Sequence, residues 1–275
     1  MRAFLLLIFL FSGLSGAAQV DLQGNFTQGG LVYGKTSPGA QVMHDGQKVP
    51  VSDQGDFIIG FNRNAPEQSK LVVVLPSGDK EVRQLQVSQR SYRIQRIDGL
   101  PQRKVTPRKE DQQRIKADRE AVKKARARQD QRIDFLQGFA WPAQGRISGV
   151  YGSQRILNGK PKWPHYGVDI AGPVGKPVRA PADGIVTLAY PDMFYSGATL
   201  IMDHGHGLSS TFLHLHKILV KEGQRVEKGQ IVAEMGASGR VTGPHLDWRM
   251  NLRGKRLDPQ LLVGPMNSEK VEYTK

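Results

Sequence analysis

Short apolar runs separated by glycine and proline turns occupy residues 19–98. The runs include LVYGKT, AQVMHDG, KVPVSDQGDFIIGF and KLVVVLPSGDKEVRQLQV, and Pro38-Gly39 and Asp45-Gly46 are among the turn signals. Runs of this length that are rich in β-branched and aromatic residues, with such turns between them, predict strands. We therefore expect residues 19–98 to form a small β-sandwich that serves as an accessory binding or spacer module.

The pattern changes at residues 101–137, where apolar residues become sparse. Residues 103–134 contain 12 Lys/Arg and 6 Asp/Glu, and the stretch EDQQRIKADREAVKKARARQDQRIDFL contains neither Gly nor Pro. These residues favour a helix. Ile115, Val122 and Ile133 make no broad apolar stripe, so we expect a solvated, basic linker helix. It could be a plain spacer or an electrostatic tether to anionic wall polymers.

Residues 139–264 again alternate apolar runs with Gly and Pro turns and show no convincing long helix. The runs include RISGVYG, GVDIAG, PVRAPADGIVTLAY and QRVEKGQIVAEMG. This pattern predicts an all-β domain. The whole chain is therefore predicted to be mainly β, with the basic helix between its two domains.

The two ends of the chain and its charge suggest where it acts. Arg2, the apolar run 3–11 and the small residues up to Ala18 have the features of a cleaved signal peptide, residues 1–18. The apolar run is shorter than the roughly 20 residues of a membrane span, so we expect no stable transmembrane segment after cleavage. We expect residues 265–275 to be a disordered tail.

The formal net charge of +14 favours polyanionic partners. For an exported protein these are envelope polymers, and we expect no nucleic acid partner. The chain has no cysteine, which excludes disulfides and thiolate metal sites.

Three clusters of potential ligands lie in the C-terminal domain. Histidine and aspartate are the ligands that zinc takes where thiolates are absent. Side chains two residues apart on a strand point to one face. By this rule each cluster could place its members together, and three strands could surround one metal ion. The clusters are His165 and Asp169 in HYGVD, His214 and His216 in HLH, and His245 and Asp247 in GPHLD.

These clusters and the sequence around them resemble the peptidoglycan endopeptidases typified by lysostaphin and LytM. The surrounding sequence that carries the resemblance is IAGPVGKPVRAPADGIVTLA and LVKEGQRVEKGQIVAEMGASGRVTGPHL. The resemblance covers residues 139–264 and implies a β domain related to barrel-sandwich hybrids. It implies one Zn²⁺ per chain with His165, Asp169 and Asp247 as ligands. His214 and His245 would be the catalytic histidines, and the substrate would be a peptide bond in peptidoglycan stems or cross-links.

The chain departs from the family pattern at Asp247, where a histidine is expected. Carboxylate is an ordinary zinc ligand, but two aspartates and one histidine make the zinc centre formally neutral, where two histidines would leave it at +1. A non-enzymatic relative that binds wall or activates a cell-wall amidase is therefore the alternative.

Several other residues near the clusters are expected to have supporting roles. We expect Trp248 and Tyr166 to pack beside the site and Arg155 to make a surface salt bridge. We expect His204 and His206 to be loop residues, and His216 to support the site from behind.

Overall fold

The computed structural model describes residues 20–266. It confirms that the chain is mainly β. The predicted signal peptide, residues 1–18, lies outside the described residues, and so does the predicted tail from residue 267 onward. Met266, the last described residue, packs against the C-terminal core. No helix within residues 20–266 has both the length and the hydropathy of a membrane span.

The N-terminal module consists of two small sheets around one apolar core. Its strands are β1 (Asp21–Gly24), β2 (Leu31–Lys35), β3 (Gln41–His44), β4 (Gln47–Val49), β5 (Asp56–Gly60), β6 (Gln68–Val74) and β7 (Lys80–Gln86). The sheet orders are β1-β2-β5 and β4-β3-β6-β7. Leu71 and Val73 alternate with more exposed neighbours along β6 and meet Phe57 and Ile59 from the other sheet.

The segment between the two domains begins with β8 (Ile94–Ile97) and continues with α1 (Gln102–Val105) and α2 (Gln112–Ala125). Short 3₁₀ helices lie at Lys109–Asp111 and Asp134–Gln137. β8 pairs in parallel with a strand of the C-terminal domain, residues 154–157. The segment is therefore attached to the C-terminal domain by strand pairing.

The C-terminal domain contains one large sheet whose longest path has the order β17-β14-β15-β16-β19-β12-β9, and the described strands form no closed barrel. β13 and β18 pair with each other beside β16, β20 pairs with β19, and β10 and β11 form the small sheet with β8. A last 3₁₀ helix covers Pro259–Leu261. The strands are β9 (Ile147–Gly149), β10 (Gln154–Leu157), β11 (Lys160–Pro161), β12 (Val168–Ala171), β13 (Pro177–Arg179), β14 (Gly184–Met193), β15 (Gly197–Asp203), β16 (Leu208–Ile218), β17 (Arg225–Val226), β18 (Ile231–Met235), β19 (His245–Leu252) and β20 (Lys255–Leu257).

The N-terminal module is docked on the C-terminal domain through β5. Phe57 and Ile59 point into the core of the module, whereas Ile58 belongs to the core of the C-terminal domain. The strand is thus buried on both faces. Arg90 adds an ion pair with Asp258, at 2.8 Å between Nη1 and Oδ2. The module therefore packs directly on the C-terminal domain.

Helix α2 packs against the C-terminal sheet and is not the solvated linker helix that we expected. Ile115 and Ala125 are buried, and Ala121 and Val122 pack with Ala125 against Leu188, Met193 and Ile201 of β14 and β15. The apolar contact is narrow because only one edge of the helix faces the sheet. This explains why the sequence shows no broad stripe even though the helix packs against the domain.

The expected loop residues His204 and His206 are fully buried. His204 Nδ1 lies 2.6 Å from the Asp183 carbonyl oxygen and Nε2 lies 2.7 Å from Ser210 Oγ. His206 packs against Phe135, with ring centroids 5.1 Å apart. Both histidines lie in the turn between β15 and β16, as expected, and their side chains are buried there.

Burial lowers the pKa of His204 to about 4. In the unfolded chain the His204 ring becomes protonated near pH 6.5, whereas in the folded protein it stays neutral down to about pH 4. The folded state therefore loses stability relative to the unfolded state as the pH falls from 6.5 towards 4. From pH 7 to 4.5 the loss should be about 2 kcal/mol for this residue. We expect His204→Gln to reduce the acid-induced drop in the free energy of unfolding by about that amount, as measured by urea denaturation at both pH values. The exposed His216→Gln is the control, and an equal drop in all three proteins would contradict the assignment.

Candidate metal centre and active site

Strands β12 and β19 run antiparallel and place Asp169 directly opposite Asp247. His165 precedes β12 and lies outside any regular strand, so the expected even spacing along one strand does not apply to it. It nevertheless lies beside both carboxylates. Its Nε2 is 3.0 Å from Asp169 Oδ1 and 3.3 Å from Asp247 Oδ2.

These three residues form a potential metal centre with ligand atoms within 4.8 Å of one another. All three side chains are buried, and His165 Nε2 and Asp169 Oδ1 have no hydrogen-bond partner despite their proximity. With zinc bonds of 2.0–2.1 Å, tetrahedral ligand atoms are separated by about 3.3 Å. The donor set therefore fits a zinc ion in chemistry and in spacing.

Two glycines make room for the carboxylates. A Cβ on Gly149 would lie 2.1 Å from Asp169 Oδ2, and one on Gly167 would lie 2.5 Å from Asp247 Oδ1. Neither glycine has a backbone conformation that requires glycine; each is needed because a carboxylate approaches closely. The role of Gly167 in the structure is to leave space for the Asp247 carboxylate.

Two arginines contact the outer sides of the same carboxylates. Arg155 Nη2 is 3.0 Å from Asp169 Oδ2, so Arg155 is not the surface residue that was expected. Arg249 binds both oxygens of Asp247, at 2.9 Å from Nε to Oδ1 and 2.5 Å from Nη2 to Oδ2. Arg249 was not among the predicted site residues, although its position two residues after Asp247 on the same strand indicates a shared face.

The charges around the centre hold both aspartates ionised. Burial alone would raise the pKa of Asp247, but the Arg249 guanidinium and the His165 ring hold it well below its usual range. Burial alone would lower the pKa of His165, and the Asp169 and Asp247 carboxylates outweigh it and raise the pKa. The carboxylates are thus in the state that binds a cation.

His214 and His245 form a neighbouring pair, with ring centroids 4.9 Å apart. Each has its Nδ1 beside a backbone carbonyl oxygen, that of Ser238 at 2.8 Å and that of Gly243 at 2.9 Å. A carbonyl only accepts, so Nδ1 donates in both rings and Nε2 keeps its lone pair when the ring is neutral. Burial lowers the pKa of His214 to about 4, with His245 assisting and Asp247 opposing.

The HLH cluster does not share one face as expected. His214 has a left-handed backbone, with φ of 65°, and β16 shifts register just after it. His214 is consequently buried while His216 is exposed. His216 is therefore a surface residue with no supporting role at the centre.

Trp248 packs behind the centre as expected. It is fully buried and makes an edge contact with Trp141, with ring centroids 5.8 Å apart. Tyr166 lies beside Tyr151, with ring centroids 6.4 Å apart.

A small cavity of about 160 Å³ lies in front of Asp169, His214 and His245. Part of its wall comes from the interdomain segment, through Ile97 of β8 and Leu100. Sites for ligands of drug size usually measure about 300–1,000 Å³. The cavity is therefore smaller than this range with the interdomain segment in the observed position.

A buried His/Asp cluster with two adjacent histidines on a β domain offers the kinds of side chains that zinc sites use. Residues 163–259 match the model of peptidase family M23. The chain therefore contains an M23 peptidase domain, which confirms the resemblance found in the sequence.

The similar proteins include enzymes and a lipoprotein. Peptidoglycan DD-endopeptidase ShyA of Vibrio cholerae is 41% identical over 136 residues, which cover 48% of this chain and 31% of that protein. A lipoprotein NlpD/LppB homolog of Pseudomonas aeruginosa is 37% identical over 122 residues, covering 44% of this chain and 38% of that protein. The chain thus spans about a third of the length of these curated relatives.

Among solved structures, the crystal structure of a candidate M23 peptidase from Pseudomonas aeruginosa is similar over most of the chain. The identity is 28%, the TM-score is 0.67, and the match covers 86% of this chain and 94% of that one. Such coverage extends well beyond the M23 domain into the N-terminal half.

Because Gly149 leaves space for the Asp169 carboxylate, a side chain at position 149 should weaken metal binding. We expect Gly149→Ala to weaken zinc binding at least 10-fold, since the added Cβ displaces Asp169 while the fold is retained. Zinc affinity would be measured by competition with a chromophoric chelator and folding by circular dichroism. Gly264→Ala is the control because its Cβ meets nothing within 4 Å. Unchanged affinity in Gly149→Ala would argue against Asp169 as a ligand.

Proposed function

We propose that this protein is a zinc metalloendopeptidase that hydrolyses peptide bonds in peptidoglycan stems or cross-links after export to the cell envelope. The observation that supports it most is the buried cluster of His165, Asp169 and Asp247 beside the His214 and His245 pair. The names of relatives such as peptidoglycan DD-endopeptidase ShyA support the choice of substrate.

His165, Asp169 and Asp247 would bind the ion, and a bound zinc supplies a Lewis acid that polarises a carbonyl and acidifies water. His214 and His245 each direct a lone pair from Nε2 because their Nδ1 atoms face carbonyl oxygens. Either ring can therefore accept a proton as a general base and return it to the leaving amine. The neutral state favoured by burial of His214 suits this role.

A second candidate is a non-catalytic protein that binds peptidoglycan or activates a cell-wall amidase. The observation that favours it is the two-point ion pair between Arg249 and Asp247, because the guanidinium adds positive charge beside the proposed metal ligand. Asp247 still has lone pairs for a metal, since each carboxylate oxygen has two. The two candidates differ in whether zinc binds.

Zinc content and release of muropeptides, measured on the same preparation, test the proposal. We expect one zinc per chain and release of peptide fragments from sacculi by the native protein. His165→Ala and Asp247→Ala should lose both, because a ligand is removed. His245→Ala should keep zinc and lose at least 100-fold in release rate, as general-base removal does.

His216→Ala is the matched control, an exposed histidine two residues from His214, and it should behave as the native protein. A folded native protein that neither binds added zinc nor releases peptides would overturn the peptidase proposal. Stimulation of an added amidase by that same metal-free protein would then support the second candidate.

Leu100 forms part of the wall of the small cavity, and we expect this wall to limit the rate of peptide release. Because Leu100 is buried against Val105 and Leu157 and lines the small cavity, its contacts hold the interdomain segment over the site. We expect Leu100→Ala to increase the muropeptide release rate several-fold, since a Leu-to-Ala change in a core removes about 2–5 kcal/mol of packing. Ile94→Ala, on the exposed face of β8, should leave the rate unchanged. A rate in Leu100→Ala equal to or below that of the native protein would count against this wall as a restraint.

A further inference from the structure

A much larger cavity lies on the other side of Arg249. It measures about 930 Å³ and is bounded by α2, the β3–β4 hairpin and the sheet face of β15, β16 and β19. Its volume matches sites that bind ligands of drug size, about 300–1,000 Å³. The M23 mechanism does not use this cavity, since none of the five predicted site residues lines it.

The lining of this cavity is strongly positive. Eight of its side chains are Lys or Arg, and Asp118 is the only acidic residue among those that line it. Asp118 already accepts a hydrogen bond from the Phe194 backbone N–H, at 2.7 Å. Arg126 directly after α2, Arg249 on β19 and Arg256 on β20 all line the cavity, and their charges act on one another unfavourably.

Arg126 is the central residue of this arrangement. Its Nη2 donates to Thr211 Oγ1 at 2.9 Å, and its buried Nε has no partner among residues 20–266. Within the same residues Arg126 makes no ion pair with a carboxylate. Burial lowers the pKa of Arg126 well below its usual range, and the neighbouring Arg256 and Arg249 add to this effect.

Elsewhere in the described chain, Arg132 shows how carboxylates balance a poorly exposed arginine. Arg132 pairs with Asp130, Asp134 and Asp203. Guanidinium groups remain charged in proteins, and a buried charge without a counter-ion is costly. Arg249 is balanced by Asp247, but Arg126, Arg253 and Arg256 line the cavity with no ion pair among residues 20–266. We therefore expect a ligand to supply their counter-charge.

We propose that this cavity binds a compact polyanion that carries phosphate or carboxylate groups, with Arg126 at its centre. The planar guanidinium matches both groups because it can donate two parallel hydrogen bonds to either. Thr211 and Asn251, on the same sheet face, offer polar groups beside the cations. Arg249 contacts Asp247 and also lines this cavity, but the proposed anion site is centred on Arg126, which makes no hydrogen bond or ion pair with the five residues proposed for the metal centre.

Isothermal titration calorimetry of the full chain with inorganic pyrophosphate and, separately, with citrate tests this site. We expect at least one of the two anions to bind with a Kd below 1 mM, and the tighter one to identify phosphate or carboxylate as the recognised group. Arg126→Gln should weaken that Kd at least 10-fold. Arg114→Gln is the control, since Arg114 lies on the same helix, pairs with Asp192 and does not line the cavity.

Thermal unfolding without added anion distinguishes a ligand-binding role of Arg126 from a role in stabilising the fold. Removal of an unbalanced charge should leave the Tm of Arg126→Gln equal to or above that of the native protein. If Arg126→Gln does not fold, Arg256→Gln takes its place, with the same expected loss of binding. Absence of binding of both anions to the native protein, or equal binding to native protein and variant, would overturn the proposal.

Discussion

The antiparallel pairing of β12 with β19 sets Asp169 against Asp247 in a buried position, and the rest of the centre compensates for that pairing. Like charges placed opposite each other destabilise a sheet. Here each carboxylate has a guanidinium on its outer side, from Arg155 and Arg249, and His165 between the two. Gly149 and Gly167 complete the arrangement by leaving space for the carboxylates.

Asp247 stands where the family pattern has a histidine, and Arg249 compensates for the negative charge that this aspartate adds. In the proposed zinc centre, two aspartates make the three-ligand set formally neutral, and Arg249 places one positive charge at hydrogen-bond distance from the Asp247 carboxylate. Residues 247 and 249 lie on one face of β19 because side chains alternate along a strand. The same guanidinium also lines the large cationic cavity, so one side chain borders both sites.

The segment between the two domains contributes walls to both cavities. β8 and Leu100 border the small cavity at the candidate active site, and α2 borders the large one. This is possible because β8 extends the β10 edge and α2 packs on β14 and β15. A basic composition that would suit a solvated tether instead places several of its charges around an interior space.

The sequence by itself determined the mainly β class, the M23 resemblance and the five residues proposed for the centre. It could do so because turn residues, alternation and the HYGVD and GPHLD motifs are local features. Tertiary structure alone decided that His214 is buried and His216 exposed, since a left-handed residue breaks the alternation. It also decided that Arg155 reaches Asp169 and that α2 packs on the sheet. Such contacts depend on strand register and domain docking, which bring together residues far apart in the chain.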